Sequence, residues 1–324
     1  MSSAPACTLE GGQLRQGLSP EETARALAAG APLWVDIDST RDDEWRLLAD
    51  VFHFHPLAIE DTRSPQGRVK IEEYPGCLFA VVRETELARE TADPYDLKFR
   101  NLCVFIGPTF VVSVHAGDSP AVRTVLDRLR AGTDPFASGA DRLAYHLLDS
   151  SIDLYFPLLD EVDGFVDELE ERVLDGDRKV LDDIFHVRRM LAQLRRHVAP
   201  AREVMGTLAN RPSPYVKPET QIYFRDVYDH VVRELDAVET YRDLLSGAME
   251  THLSVVSNRM NEVIKAISVI GTVVLPPTLI ASIYGMNFVD MPLTHHPLGF
   301  WFALALMTLV SVFFVVYLWW KRWI

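Results

Sequence analysis

Two long uncharged runs near the C-terminus constrain this chain more than anything else in it. Residues Ala266–Tyr284 hold 19 uncharged, mostly apolar positions, and Leu298–Trp320 hold 23 more. A helix needs roughly 20 such residues to cross the hydrocarbon core of a bilayer, so both runs read as membrane spans. Trp301, Tyr317, Trp319 and Trp320 stand near the ends of the second run, as interfacial aromatics do. Lys265 precedes the first span and Lys321 and Arg322 follow the second, whereas the connecting stretch FVDMPLTHHP has no Lys or Arg. The positive-inside rule therefore predicts both termini in the cytosol and the connection outside.

The first span is patterned. Asn261, Ile264, Ser268, Gly271, Leu275, Thr278 and Ser282 recur at alternating spacings of 3 and 4, which puts them on one helical face. Small and hydroxyl side chains alternate there with bulky apolar ones. Two readings fit. The face is a small-residue packing surface, or it is a pore wall in which hydroxyls and amides meet water while Ile264 and Leu275 form apolar constrictions. Pro276 and Pro277 remove two backbone donors within the span and predict a kink.

Upstream, residues 1–135 read as a mixed α/β domain with a sheet of about four to six strands. Residues 1–17 read as polar and loose. Ser19 caps a helix over Pro20–Gly30, and Leu33–Ile37 alternates as a strand. Ser39–Glu44 opens a second helix reaching Phe52. CLFAVVR at 77–83, Leu102–Ile106 and Phe110–His115 are strands, the last two joined as a hairpin by Gly107-Pro108-Thr109. His53 and His55 read as a capped turn rather than a metal pair, and His115–Ser119 as a turn. The domain has no GxGxxG, P-loop, nucleophile elbow or HExxH, which argues against an enzyme. Cys7, Cys77 and Cys103 form neither a CxxC nor an even framework.

Residues 136–218 read as helical. Eleven carboxylates between 160 and 183 face a run with Arg188, Arg189, Arg195, Arg196 and Arg202, turning at Gly176. This predicts a helix hairpin with one acidic and one basic arm, tied by exposed ion pairs worth about a kcal/mol or less each. It is also a place where divalent cations could gather. After NRPSPYVKP a single helix is expected from 219 through Tyr284, roughly 100 Å at 1.5 Å per residue. Residues 219–265 form its stalk and 266–287 its membrane part. An outer loop (288–297), a second span (298–320) and a basic tail (321–324) follow. The net charge of −14 argues against a nucleic-acid partner and suits cation traffic.

At Tyr284-Gly285-Met286-Asn287-Phe288, followed by Met291-Pro292, the chain closely resembles the CorA family of divalent-cation channels. The family signature, Gly-Met-Asn, closes the first of two membrane helices. HPLAIED at 55–61, YFRDVYDH at 223–230, Ser257-Asn-Arg with Asn261-Glu-Val263, and the basic tail carry the likeness from about residue 55 to 324. The resemblance implies a homopentamer in which each subunit adds an α/β cytosolic domain to a funnel and the first membrane helices line one pore. It implies Mg²⁺ as both transported and regulatory ion, with Co²⁺ and Ni²⁺ also carried. Gly285, Met286 and Asn287 would form the outer selectivity ring. Asn261 and Thr278 would hold hydrated ion, and Ile264, Ile267, Gly271 and Leu275 would form the inner path, with Ser268 competing with Ile267 for the wall. Asp226 would be a cytosolic sensor carboxylate facing a neighbouring subunit, its partner falling near 84–93, where Glu86 and Glu90 are candidates. Lys321 and Arg322 would ring the inner mouth.

One departure bears on the ion. Where the family usually has Glu after Met-Pro, this chain has Leu293-Thr294-His295-His296, and imidazole favours Zn²⁺, Ni²⁺ and Co²⁺ over Mg²⁺. A ZntB-like zinc transporter, with or without proton coupling, is the alternative within transport. Outside it stands a membrane-tethered enzyme or sensor whose helices only dimerise.

Overall fold

A computed structural model of the chain describes residues 6–10, 13–41, 44–64, 67–131, 139–177, 179–286, 292–293 and 296–323. The chain divides into two compact units, Met1–Arg172 with Arg178–Ala248, and Val173–Asp177 with Met249–Ile324.

Alternating apolar strands build the first unit. Its sheet has seven strands in the order β2-β1-β3-β7-β6-β5-β4. These are β1 (Ala6–Glu10), β2 (Gln13–Gln16), β3 (Leu33–Asp38), β4 (Lys70–Tyr74), β5 (Cys77–Leu87), β6 (Leu97–Ile106) and β7 (Phe110–His115). Among the described strands only β3 and β7 pair in parallel; the other ladders are antiparallel. Leu33, Val35, Phe79, Val81, Phe105 and Val112 turn to one face, where they pack with Leu47, Leu48, Phe54 and Ala58. Those four come from α2 (Arg46–Asp50), α3 (Pro56–Arg63) and the link between them. The alternate residues Trp34, Ala80, Val82, Leu102 and Val104 are equally buried on the other face. That face is covered by α5 (Ala140–Ile152) and α7 (Val180–Asn210), with α4 (Pro120–Arg130) packed on α5. A sheet covered on both faces needs near-continuous apolar strands, and these runs supply them.

Local signals hold where they were strongest. Ser19 and Glu22 close a capping box on α1 (Pro20–Ala28), and Gly30 follows in the left-handed region at φ +67°. The His55 ring accepts from Leu57 N–H at the start of α3, the expected cap. Gly107 N–H donates to Phe110 O (2.8 Å), closing the expected hairpin.

Two expectations are corrected. The sheet is larger than four to six strands, because 6–10 and 13–16 form a polar edge hairpin instead of a loose start and Lys70–Tyr74 adds the far edge. Such strands carry little apolar alternation and owe their existence to pairing. The second helix is confined to Arg46–Asp50: Asp38 Oδ1 accepts from Thr40 N–H and hydroxyl, and Glu44 accepts from Asp38 N–H. These side-chain bonds compete with the helix over 39–44.

The helix hairpin is present as α6 (Tyr155–Leu174) and α7, with Gly176 at φ +72° in the turn. Arg172 and Asp183 pair across it at 2.8 Å. The basic arm also reaches the next helix, Arg195 pairing with Glu239. That helix, α8, runs unbroken from Pro218 to Tyr284, through Pro276-Pro277.

The second unit holds the C-terminal part of α8, α9 (Gly299–Trp320) and the turn Val173–Asp177. Both helices contain windows long and apolar enough to cross a membrane; none of the α8 window and 11% of the α9 window is buried within the chain.

Candidate functional site: the patterned face of α8 and a carboxylate cluster

The patterned face of α8 is bare in a single chain. Ile264 is 54% exposed, Ile267 65% and Leu275 68%, and Asn261, Ser268 and Thr278 are exposed as well, while Gly271 is half-buried. Nothing within 4 Å would meet a Cβ added to Gly271. Apolar surface of this extent is stable only against lipid or against other copies. The hydroxyls are oriented by their own helix: Thr278 donates to Val274 O and Ser282 to Thr278 O, each at 2.8 Å. With the proton committed to the backbone, each oxygen keeps lone pairs facing outward. It is then an acceptor for the water shell of a cation. Pro276 and Pro277 lack N–H groups, so the carbonyls of Thr272 and Val273 have no donor four residues on.

The helix closes with Gly285 N–H on Ala281 O (2.9 Å) and Met286 N–H on Ile283 O (3.2 Å). Gly285 and Met286 are exposed at this end. Asn287 lies outside the described residues, as does His295. His296 is described, and its Nδ1 accepts from Leu298 N–H (3.2 Å) at the start of α9.

In the first unit, Asp226 stands on α8 in a column with His230 and Glu234, four residues apart each time. Asp226 Oδ2 is 3.7 Å from His230 Nε2, and His230 Nδ1 is 4.0 Å from Asp153 Oδ1. Asp149 lies one turn earlier on α5, and Asp153 caps that helix with its N–H on Asp149 O. One ligand atom from each of Asp149, Asp153 and His230 lies within 4.8 Å of the other two, close enough to converge on one cation. Two carboxylates and an imidazole suit a divalent ion, hard or borderline.

Burial, and then the charge of Asp153, pushes the Asp149 carboxyl up to about 6. Burial also raises Asp153, against the pull of His230. Beneath them Glu234 is 1% exposed, with neither carboxylate oxygen hydrogen-bonded among the described residues. Burial first and Asp153 second push its carboxyl up to about 9, so it is a neutral acid at pH 7. The site therefore presents Asp149, Asp153 and Asp226 as its charges, with Glu234 silent.

The structure thus brings Asp226 together with three groups to which the sequence reading gave no role: Asp149, Asp153 and His230. The signal available was the i,i+4 spacing of Asp149 with Asp153 and of Asp226 with His230; their meeting is a tertiary event between α5 and α8. Glu86 and Glu90 are placed elsewhere in the single chain. Glu86 pairs with Arg100 (3.0 Å) on β6, and Glu90 with Lys98 (3.2 Å).

The CorA-like Mg²⁺ transporter family model matches residues 30–322. The cobalt/magnesium transport protein CorA of Thermotoga maritima is 33% identical over 299 residues, covering 91% of this chain and 84% of its own. YfjQ of Bacillus subtilis is 33% identical over 291 residues, covering 90% and 89%. The complete structure of the CorA magnesium transporter of Methanocaldococcus jannaschii superposes with a TM-score of 0.86 at 23% identity, covering 100% and 99%. With nine-tenths of its length matched and both membrane helices in place, this chain belongs to the CorA-like Mg²⁺ transporter family.

Proposed function

We propose that copies of this chain assemble around α8 into a passive channel for hydrated divalent cations, Mg²⁺ and Co²⁺ first, which cytosolic divalent ion closes. The observation that carries the proposal is the membrane segment of α8, with no residue fully buried within its own chain yet striped with oriented acceptor oxygens. Two spans per chain cannot enclose a pore, so an oligomer is required; five is the number the family resemblance implies.

On this reading Gly285, Met286 and Asn287 form the outer ring, where an amide oxygen holds a hydrated ion without the deep trap of a carboxylate ring. Thr278 and Asn261 hold hydrated ion farther in, and Leu275, Gly271, Ile267 and Ile264 form the neck. An inside-negative potential of 100 mV supplies about 4.6 kcal/mol to each divalent ion, so influx needs no ATP. Both termini face the cytoplasm.

Closure is assigned to the cluster on α5 and α8. Asp149, Asp153 and Asp226 repel one another when empty, and an ion among them, or between Asp226 and a neighbouring subunit, favours one packing of α8 over another. Such an ion contributes only through its charge and ligand number; these side chains supply the geometry. Likeness to a cobalt/magnesium transporter, 33% identical across 91% of the chain, ranks Mg²⁺ and Co²⁺ ahead of zinc. Uptake of Mg²⁺, Co²⁺, Ni²⁺ and Zn²⁺ into proteoliposomes, with and without a proton gradient, tests the assignment. Magnesium uptake indifferent to the gradient supports it, and zinc uptake that requires protons overturns it.

A further inference from the structure

The Lys265 end of the first span and the Lys321 end of the second meet at one level. Lys265 Nζ, on the last polar turn of α8, donates to the backbone carbonyl of Arg322 (3.4 Å), just past the end of α9. There α9 ends in a reversing turn: Trp323 N–H bonds to Leu318 O and Arg322 N–H to Trp319 O. The residue in the left-handed position of such a turn is usually Gly. Here it is Arg322, at φ +57°, so a charged side chain is kept at a backbone cost. The Lys321 ammonium lies 5.5 Å over the Trp320 ring. Trp319, Trp320 and Trp323 are exposed around the three cations.

Among the described residues these cations have no carboxylate partner. The chain carries a net charge of −14, and cations such as Lys70, Arg100, Arg172 and Arg242 find carboxylates. No carboxylate among the described residues pairs with Lys265, Lys321 or Arg322. Three unpaired cations immediately outside the hydrocarbon run of two adjoining helices lie at the depth of lipid phosphates, and indole rings favour the same layer.

We propose that Lys265, Lys321 and Arg322, framed by Trp319, Trp320 and Trp323, form a binding site for the headgroup of an anionic phospholipid of the cytosolic leaflet. The lipid phosphate receives the ammonium and guanidinium donors while its acyl chains lie along the apolar surface of α9. The bound charge also neutralises cations that would otherwise repel an arriving Mg²⁺. The site rests on the two spans and not on which ion is carried.

The test uses the full-length protein, delipidated in neutral detergent and titrated with phosphatidylglycerol or phosphatidylcholine, with bound lipid counted by native mass spectrometry. Phosphatidylglycerol should bind more tightly, by about fivefold for each of the three cations and on the order of a hundredfold together. Lys265→Gln with Lys321→Gln and Arg322→Gln should erase that preference, while Lys265→Arg with Lys321→Arg and Arg322→Lys should keep it. If the triple Gln variant does not fold, each single Gln variant should lose about fivefold by itself. Equal binding of the two lipids by the wild type, or an anionic preference that survives the Gln substitutions, overturns the site. Because lipid is counted and not ion flux, a chain that moved no magnesium at all would still pass or fail this test.

Discussion

Replacing Glu234 with Gln should stabilise this protein at neutral pH and do nothing in acid. Glu234 is buried under the α5–α8 cluster with neither oxygen paired among the described residues, and its carboxyl is pushed up to about 9 from an ordinary 4.5. A folded-state pKa above the unfolded one means that this group's contribution to stability is whole below pH 4.5. It is lost steadily as pH rises toward 9. At pH 7 the unfolded chain has given up the proton that the folded chain must keep, two and a half pH units above the ordinary value. At about 1.4 kcal/mol per unit this costs about 3 kcal/mol. Gln fills the same space with a neutral polar group and carries no such cost. The difference between variant and wild type should therefore be near zero at pH 4.5 and grow by about 1.4 kcal/mol per unit above it. Chemical unfolding of the detergent-solubilised full-length chain in EDTA, followed by tryptophan fluorescence from pH 4.5 to 8, reads it directly. A pH-independent difference, or a variant less stable than wild type at pH 7, would refute the assignment of Glu234 as a neutral acid. The count of three charges at the cluster would fall with it.

Other consequences are as concrete. Asp226→Ala should raise the cytosolic Mg²⁺ needed for half-closure by about tenfold in excised patches; unchanged inhibition removes Asp226 from the sensor. An ion can use Asp149 only in its ionised form, and that carboxyl sits at about 6. Inhibition should thus weaken by up to about tenfold per pH unit as pH falls below 6, and a flat profile excludes Asp149 as a ligand. Asn287→Ala should abolish selective uptake while leaving the oligomer intact on size exclusion; retained magnesium selectivity would count against the outer ring. Gly176→Val puts a branched side chain at φ +72°, 3.3 Å from the Arg259 guanidinium, and should cost about 1–2 kcal/mol or more; an unchanged unfolding midpoint would contradict the turn geometry.

How much of this was legible in the sequence follows from the range of the interactions involved. Ser19 caps its helix through a bond three residues long, so spacing alone locates Pro20 as the first helical residue. The two spans and the long helix are set by composition over tens of residues. The edge strands at 6–10, 13–16 and 70–74 are polar and were missed or undercounted, because only their neighbours in the sheet hold them extended. The cluster was half visible: Asp226 stood out through the motif around it. Asp149 and Asp153 reach it from 73 or more positions away, across a helix contact that periodicity does not report. Glu86 and Glu90, the candidates implied by resemblance, make ion pairs with Arg100 and Lys98 of β6 within the single chain.

The central claim is that copies of α8 surround one water-filled axis. A cysteine scan from Asn261 to Ser282, in a background lacking Cys7, Cys77 and Cys103, measures it with a charged thiol reagent applied during magnesium influx. The account predicts block at Asn261, Ile264, Gly271, Leu275, Thr278 and Ser282 and at whichever of Ile267 and Ser268 faces the axis, with the remaining residues between them inert. Block spread evenly around α8, or block found only at cysteines placed along α9, would contradict it.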